Sequence, residues 1–328
     1  MSTLSAIRRP IEDDLQQYEA LIRKSYAAES EPLHSIIEYV IDNRGKGIRP
    51  MLVLLSAGMA KGGEPCGASK RSLLAAMLVE MIHTASLVHD DVIDESDMRR
   101  GKPSVNARWQ SRNAVLVGDY LLAETMNIGM RSGQFDIVRH IIASVSDLCE
   151  GELIQSTRSR SLDMSRKTYL EIIYKKTARL IGTSASVGAL SVGADLQEVD
   201  TLRRFGDAIG MAFQIKDDIL DYKPSSETGK PSGNDLAEHK ITLPLLTVLE
   251  HSSEDRRTEI IDEIRRSSTP ESISRIQQMV IEAGGLEEAE QVMRTYIDRA
   301  LQILSHYPQS AYRDSLATLC GYISEREK

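Results

Sequence analysis

The chain has 328 residues with a formal net charge of −8 at pH 7, and 41% of its residues are hydrophobic. That length and composition suffice for a large buried core, and the negative charge argues against nucleic-acid binding and tight binding to anionic lipid. Cys66, Cys149 and Cys320 have no close spacing, which argues against a disulfide framework or a zinc site and favours a reducing compartment. No long apolar run is evident, so we expect a cytoplasmic protein with at most peripheral membrane contact.

The pattern along the chain is helical. Residues 1–30 predict an N-terminal helical extension. Residues 51–57 are apolar nearly all round and predict a buried helix, with Pro50 in its first turn. Further on, apolar residues recur with helical spacing at Leu73, Leu74, Met77, Leu78, Met81 and Ile82. No proline occurs between Pro103 and Pro224, and no stretch alternates with a period of two. The sequence therefore predicts an all-α fold.

Loop signals interrupt this pattern at five places. They fall at residues 61–67, 100–104, 131–135, 158–166 and 224–234. None of them is long enough to be a domain linker, so we predict a single domain over residues 1–328.

Two acidic clusters share one spacing: Asp90, Asp91 and Asp94, and Asp217, Asp218 and Asp221. Residues four apart on a helix lie on one face, so each cluster directs like charges at one point, which is unfavourable unless a cation lies among them. Mg²⁺ is usually held by carboxylates together with substrate phosphates. Both clusters follow apolar stretches, so we prefer a metal site to a solvated helix end. They predict a diphosphate held between two facing helices by bridging metals. Lys216, next to Asp217, is a simple alternative partner, but one lysine cannot neutralise three carboxylates.

Basic residues gather where phosphates would need them. Arg44, Lys46 and Arg49 stand on a glycine-rich approach to a helix, where backbone N–H groups favour anions. Weaker candidates are Lys175, Lys176, Thr177, Lys230 and Lys240. Together they predict two diphosphate pockets, one bridged by metal and one purely cationic.

With these motifs in this order, the chain resembles the trans-isoprenyl diphosphate synthases of the polyprenyl synthetase family, of the medium- to long-chain type that makes octaprenyl and heptaprenyl diphosphates. The matching motifs are Gly45-Lys46-Gly-Ile-Arg49-Pro50, Glu-Met-Ile-His83, the first acidic cluster with Arg99-Arg100-Gly101, Lys176-Thr177, Phe213-Gln214 with the second acidic cluster, and Gly229-Lys230 through Asp235 to Lys240. The resemblance runs from about Leu33 to the final helix. It implies an isoprenoid-synthase helical bundle around a deep central cavity, usually a homodimer, with about three Mg²⁺ ions per active site.

The resemblance also implies roles for single residues. Metal ligands would be Asp90, Asp91, Asp94, Asp217, Asp218 and Asp221. The allylic diphosphate would contact Arg99, Lys176, Thr177, Gln214, Lys230 and Lys240. Isopentenyl diphosphate would contact Lys46, Arg49, His83 and Arg100. The implied catalytic residues are Asp90, Asp94, Asp217, Arg99 and Lys176.

Two positions depart from the family pattern. Gly47 stands where a second basic residue is usual, so the isopentenyl pocket is expected to lack one cation. His239 stands where glycine is common, directly before Lys240.

The implied reaction is a head-to-tail condensation of an allylic diphosphate with isopentenyl diphosphate. Metals and Arg99 would withdraw charge until the allylic C–O bond ionises, and the double bond of isopentenyl diphosphate would attack the carbocation. The departing pyrophosphate would then take the proton. His89, next to Asp90, is either a proton carrier or, more commonly, a residue whose hydrogen bond orients the aspartate.

Product length is expected to depend on the helix that ends at Asp90. Ala85 and Ser86 are small, whereas short-chain members of the family carry a bulky aromatic residue at one of these positions. The chain-length residues are then Ala85, Ser86, Ile82 and Val79, with Leu78 beside them. At about 1.5 Å per residue, Val79 lies about 16 Å beyond Asp90.

A methionine pair, Met126 and Met130, would line the opposite wall or simply fill the core. We predict an all-trans polyprenyl product of roughly six to ten units, given the helical rise along this stripe, of the sort attached to respiratory quinones.

Other functions share some of these features. A short-chain farnesyl or geranylgeranyl diphosphate synthase and a non-catalytic partner subunit would have the same fold. A terpene cyclase would not need the second full acidic cluster or the isopentenyl pocket. A His-Asp metal phosphohydrolase, suggested by His89-Asp90, would need further metal-ligating histidines, for which His34, His140, His251 and His306 provide no motif.

Overall fold

The computed structural model of the chain describes residues 3–28, 30–64, 67–223, 232–266 and 269–327. The helices of the first half are α1 (Thr3–Arg8), α2 (Glu12–Ser25), α3 (Glu31–Asp42), α4 (Ile48–Ala60), α5 (Lys70–Ile93), α6 (Val105–Arg131) and α7 (Phe135–Ser161). Those of the second half are α8 (Arg166–Ile173), α9 (Arg179–Ser191), α10 (Leu196–Asp221), α11 (Asn234–Ala237), α12 (Leu243–His251), α13 (Glu254–Arg266), α14 (Pro270–Glu282), α15 (Gly285–Ser305) and α16 (Ala311–Glu325). A 3₁₀ turn follows α1, and a π-helical segment (Tyr174–Ala178) joins α8 to α9. Cys66, Gly229 and Lys230 lie outside the described residues.

Within the described ranges, the strands are β1 (Met98–Arg99) and β2 (Lys102–Pro103), which pair antiparallel. These two strands have two residues each, and the other described elements are helices, so the prediction of an all-α fold is confirmed. The turn of this hairpin consists of Arg100 and Gly101, whose φ angles of 53° and 76° are those a tight two-residue hairpin turn requires.

The described residues form two compact units. The first comprises those within 1–145, 183–203 and 307–316, and the second those within 146–182, 204–306 and 317–328. The prediction of a single domain stays a prediction.

In the first unit, α4 and α5 are the most deeply buried helices. Residues 50–59 of α4 are all buried, as predicted, and Pro50 lies in the first turn. Helix α5 begins at Ser69, whose hydroxyl accepts a hydrogen bond from the Ser72 N–H, and it packs against α2, α4 and α6. Because α5 has neighbours on several sides, its buried residues occupy more than one face.

The predicted interruptions correspond to real ends of helices. Helix α4 ends at Ala60, α6 at Arg131 and α7 at Ser161, and the hairpin follows α5. Residues 224–231 of the longest predicted loop lie outside the described residues. In the N-terminal extension the structure places α1 and α2, and α2 packs against α5.

Helix α5 is also long and apolar enough to cross a membrane by length and composition alone. However, 72% of its most apolar window is buried within the protein, as in the core helices of globular proteins.

Candidate functional site

The first acidic cluster lies at the C-terminal end of α5. Asp90 and Asp91 are in the last turn, and Asp94 is the C-cap residue, its N–H donating to Asp90 O at 2.8 Å. Asp94 is exposed, Asp90 is half-buried and Asp91 is buried. The negative end of a helix dipole disfavours anions, so three carboxylates at this position favour a bound cation.

Asp91 is engaged within the protein. Its Oδ1 accepts a hydrogen bond from Arg99 Nε at 2.6 Å, although burial raises the pKa of Asp91. Because β1 carries Arg99, this ion pair ties the hairpin to the end of α5. Asp91 thus positions the arginine predicted to contact the allylic diphosphate.

Three of the predicted isopentenyl residues, Arg49, His83 and Arg100, lie close together at α5, and Lys46 lies on the adjoining loop, where it lines a separate cavity. Arg100 Nη1 donates to Asn43 O at 3.2 Å, which brings Arg100 to the loop that carries Lys46. Arg49 Nε is buried and makes no hydrogen bond among the described residues, which leaves it available for an anion. A cleft lined by His83, Arg99 and Arg100 lies at this place.

His83 is a neutral group in this cleft. Burial, followed by the charges of Arg49, Arg100 and Arg99, lowers the pKa of His83 well below its usual value. At neutral pH its imidazole can therefore both donate and accept a hydrogen bond.

Sequence reasoning missed Glu80, a buried carboxylate that lines the same cleft three residues before His83. Burial raises the pKa of Glu80, and the charges of Arg49, Arg44 and Arg100 oppose that shift. Burial also disfavours the charged form of Arg49 and lowers its pKa to about 10. The sequence signal for Glu80 was a charged residue in an otherwise apolar helix.

His89 contacts helix α6. Its Nε2 lies 3.2 Å from Val115 O and 3.3 Å from Asp119 Oδ1, and its ring packs so closely on Gly118 that a side chain there would collide with it. These contacts fix the last turn of α5, where Asp90 lies, against α6.

The chain-length residues lie in the buried part of α5. Val79, Ile82 and Ala85 are buried, whereas Ser86 is half-buried and donates to His83 O at 2.9 Å. Met126 and Met130 were predicted to line the wall of the cavity or to fill the core. For Met130 this prediction is wrong, because its side chain is 49% exposed.

The second acidic cluster ends α10 in the second unit. Arg326 pairs with Asp217 Oδ1 at 2.8 Å, a contact that sequence reasoning missed, and its guanidinium stacks on the ring of Phe213. Lys216 is buried among residues of the core. Arg326 follows the last helix, and nothing in its local sequence indicates this contact.

Asp218 links two of the predicted allylic residues. It accepts hydrogen bonds from the Tyr169 hydroxyl at 2.6 Å and from Gln214 Nε2 at 2.9 Å, and Thr177 donates to Gln214 Oε1 at 2.7 Å. Burial, with added repulsion from Asp217 and Asp221, raises the pKa of Asp218 to about 7.

Asp221 caps the next helix. Its oxygens accept the N–H groups of Asn234 at 3.1 Å and of Asp235 at 3.0 Å at the start of α11. Asp235, to which the sequence assigned no role, is half-buried. Desolvation, followed by the charges of Asp218 and Asp221, raises its pKa well above the usual value.

Lys176 lies in the π-helical segment. Its Nζ is 2.8 Å from Gln155 Oε1 and 2.7 Å from Glu152 Oε1, both on α7. Such segments are frequent at functional sites because they redirect side chains. Glu152 and Gln155 were also missed by sequence reasoning.

Lys240 pairs with Glu238, and its N–H donates to Asp235 O at 2.7 Å. The preceding residue, His239, has a φ of 58°, a conformation that glycine adopts at no steric cost. Gly47 likewise has a φ of 69°, as the N-cap residue of α4. Both positions at which the sequence departs from the family pattern, Gly47 and His239, therefore have a left-handed backbone conformation.

The acidic clusters fit a hard cation by their chemistry. Among the described residues, no three His, Cys, Asp or Glu side chains already form a metal-binding group. In the second unit, however, burial and the charge of Asp221 raise the pKa of Asp218, and burial and the charges of Asp218 and Asp221 raise the pKa of Asp235. A cation would relieve this repulsion.

Comparison with known proteins decides the family. A family model described as polyprenyl synthetase matches residues 30–282. The chain belongs to the polyprenyl synthetase family.

Relatives and solved structures agree with this assignment. The synthase is 36% identical over 302 residues to the short chain isoprenyl diphosphate synthase of Methanothermobacter thermautotrophicus, covering 90% of this chain and 91% of the relative. It is 34% identical to heptaprenyl diphosphate synthase component 2 of Geobacillus stearothermophilus, covering 99% of each. A polyprenyl synthase from Caulobacter crescentus, solved with calcium and isoprenyl diphosphate, has a TM-score of 0.89 and 31% identity, covering 99% of this chain and 98% of that one.

These findings confirm a trans-isoprenyl diphosphate synthase with the all-α isoprenoid-synthase fold, and a transferase of prenyl groups. They leave the terpene cyclase and phosphohydrolase alternatives without support. Because the relatives include short-chain and longer-chain synthases, they do not define the product length of this synthase.

Proposed function

We propose that this synthase condenses an allylic diphosphate repeatedly with isopentenyl diphosphate to give an all-trans polyprenyl diphosphate for quinone side chains. The observation that carries the activity is the combination of acidic clusters with cations fixed by neighbours, as in Arg99 on Asp91 and Lys176 beside Glu152. Preorganised cations of this kind stabilise the charge that develops on a leaving diphosphate.

We propose that the metal is magnesium, about three ions per active site, as is usual where carboxylates and substrate phosphates share the coordination. Asp90, Asp94 and Asp217 are the proposed ligands, as the family resemblance implies, with Asp91, Asp218 and Asp221 supporting them: Asp91 binds Arg99 and Asp221 caps α11. Asp217 would exchange its ion pair with Arg326 for the metal. Bound magnesium would polarise the diphosphate leaving group. The bridging of both clusters by metal and diphosphate stays a prediction.

The protein's own residues would orient the second substrate. Lys46, Arg49 and Arg100 provide fixed positive charge for isopentenyl diphosphate, and neutral His83 provides a donor without adding charge. Thr177, Gln214, Lys230 and Lys240 are proposed contacts of the allylic diphosphate. The departing pyrophosphate is the proposed base.

The proposed product has roughly six to ten prenyl units. Ala85 and Ser86 are small, so no bulky side chain blocks the face of α5 that runs from Asp90 to Val79, a path of about 16 Å at about 1.5 Å per residue. A short-chain product is the second candidate, favoured by the similarity to the Methanothermobacter enzyme. Mass spectrometry of the products made from farnesyl and isopentenyl diphosphates with Mg²⁺ tests both. Products that stop at three or four units would refute the longer chain.

A role as a non-catalytic partner subunit is the remaining alternative, since the Geobacillus relative is named as one component of a synthase. Both acidic clusters are complete, which supports a catalytic chain. Condensation by the purified single chain would support the proposal, and condensation only after a second protein is added would refute it.

We also propose a cytoplasmic homodimer. Helix α6 and the first part of α7, both in the first unit, carry exposed large apolar residues: Val115, Leu116, Met130, Phe135 and Ile142. Exposed apolar residues that lie together on a surface are typical of a protein interface. The molar mass by light scattering tests this proposal, and a monomer at micromolar concentration would refute it.

A further inference from the structure

The basic loop, defined as residues 43–47 between α3 and α4, carries Lys46 and leads to Arg49. On one side it contacts Arg100, whose Nη1 donates to Asn43 O at 3.2 Å. The Arg100 guanidinium lies so close to Gly45 that a Cβ there would come within 2.6 Å of its Cζ. The loop has no regular secondary structure, so its conformation depends on such neighbours.

The opposite side of the basic loop contacts the N-terminal helices. Arg8, the last residue of α1, donates from Nη2 to Lys46 O at 2.7 Å. Arg44 donates from Nη1 to the Tyr18 hydroxyl at 3.0 Å and from Nη2 to Glu19 Oε2 at 2.6 Å. The Arg44 side chain is only 9% exposed, which shelters its bond to the Tyr18 hydroxyl, whereas Glu19 is 51% exposed.

The basic loop is not packed tightly against α1 and α2, so van der Waals contacts there do not substitute for these hydrogen bonds. A cavity of about 220 Å³ lies between the basic loop and α1–α2, lined by Arg8, Tyr18, Glu19, Arg44 and Lys46. Side chains that face a gap lose van der Waals contacts with the other side. On this side of the loop, the hydrogen bond from Arg8 to Lys46 O therefore contributes to fixing the Lys46 backbone.

These N-terminal contacts come from outside the family match, which begins at residue 30. We propose that Arg8 is a positioning residue of the isopentenyl diphosphate subsite and that α1 and α2 are an integral part of that subsite. Arg8 acts through the carbonyl of Lys46, and that backbone position determines where the Lys46 ammonium meets the diphosphate. The proposal rests on the proposed function, which assigns Lys46 to isopentenyl diphosphate.

The experiment compares Arg8→Ala with Arg9→Ala in the full-length enzyme. Arg9 is the adjacent arginine and is exposed, so its variant removes the same charge without removing the bond to Lys46 O. Each substrate is varied at saturating concentrations of the other. We expect the KM for isopentenyl diphosphate to rise about tenfold in Arg8→Ala, as for loss of one charge-assisted hydrogen bond. The KM for the allylic substrate and both constants of Arg9→Ala should stay unchanged.

Rescue separates positioning from general stability. Arg8→Lys keeps a charged donor and should recover part of the KM for isopentenyl diphosphate. An unchanged KM in Arg8→Ala, or an equal rise for both substrates in Arg8→Ala and Arg8→Lys with a matching fall in Tm, would overturn the proposal. If Arg8→Ala does not fold, Arg8→Met, which keeps the length of the side chain but cannot donate a hydrogen bond, replaces it. A KM raised for isopentenyl diphosphate alone would support the assignment, and an unchanged KM would refute it.

Calorimetric titration with isopentenyl diphosphate alone distinguishes this proposal from the proposed function. If the wild type makes no condensation product, the proposed function fails. Weaker binding of isopentenyl diphosphate by Arg8→Ala than by Arg9→Ala would still support the positioning role, and equal binding would refute it.

Discussion

Within the acidic clusters, Asp91 and Asp221 each form hydrogen bonds that stabilise the local structure. Asp91 binds Arg99, and Asp221 accepts two backbone N–H groups of α11. These two carboxylates therefore have a structural role besides any contact with a metal. Asp217 is paired too, with Arg326, so the direct test of the metal mechanism is to remove one carboxylate from each cluster.

We expect Asp90→Ala and Asp217→Ala each to lower kcat/KM by about 10²–10³-fold, the effect typical of losing one stabilising contact to the charge developing in the transition state. Condensation is measured with Mg²⁺ and radiolabelled isopentenyl diphosphate. Asp298→Ala, which removes an exposed carboxylate of α15, is the control and should be unaffected. Near-wild-type condensation by either cluster variant would contradict the metal mechanism.

The raised pKa of Asp218 gives the metal-free protein a distinct pH dependence. A carboxyl whose pKa is about 7 in the folded state and 3.8 in the reference state stabilises the fold below about pH 4 and loses that contribution as the pH rises to about 7. We expect the free energy of unfolding of the wild type, relative to Asp218→Asn, to fall by up to about 4 kcal/mol across this range. Urea unfolding in EDTA measures it, and a pH-independent difference would contradict it.

Gln110 interrupts α6 with φ 72° and ψ 153°, a conformation nearly restricted to glycine. Gln110→Gly should raise the free energy of unfolding by about 1 kcal/mol, because relief of backbone strain exceeds the entropic cost of glycine. Gln291→Gly, inside the regular helix α15, is the matched control and should lower it by about 1 kcal/mol. Chemical unfolding measures both, and equal losses would show that Gln110 is unstrained.

At the scale of elements, the hairpin of β1 and β2 is the element that presents Arg99 and Arg100. It is tied to α3 by the Tyr39 hydroxyl, which donates to Pro103 O at 2.6 Å. Arg108 stacks on both Tyr39 and Trp109, whose rings meet edge to face at 5.0 Å. This aromatic cluster therefore anchors the base of the hairpin.

Tyr39→Phe removes only the hydroxyl, so we expect kcat/KM to fall several-fold through a looser hairpin, with a stability loss of about 1 kcal/mol. Tyr26→Phe is the matched control, because it removes a buried hydroxyl that bonds Thr125 away from the hairpin. Tyr26→Phe should lower stability while leaving kcat/KM unchanged. Equal activity losses in the two variants would attribute the effect to stability alone.

At the scale of the whole molecule, the length of the product is a property of the space beyond the acidic cluster. We expect Ala85→Tyr to shorten the product to the short-chain range, because a phenol in place of a methyl group would block a path that continues toward Val79. Ala76→Ser, on a buried part of α5 farther from Asp90, is the control. Mass spectrometry of the diphosphates reads out the length, and an unchanged distribution would contradict the prediction.

The helical fold, several of the helix ends and the positions of the acidic and basic motifs could be read from the sequence alone, whereas the ends of α2, α3 and α9 were not predicted. Helical periodicity, glycine and proline positions and the spacing of charges act over a few residues, so they can be read from the chain. Which charges meet depends on how the helices pack. Arg326 pairs with Asp217, Glu80 lies among arginines, Glu152 and Gln155 bind Lys176, and Arg8 binds the Lys46 carbonyl. These contacts join residues distant along the chain, and only the packing of helices brings such side chains within hydrogen-bond distance.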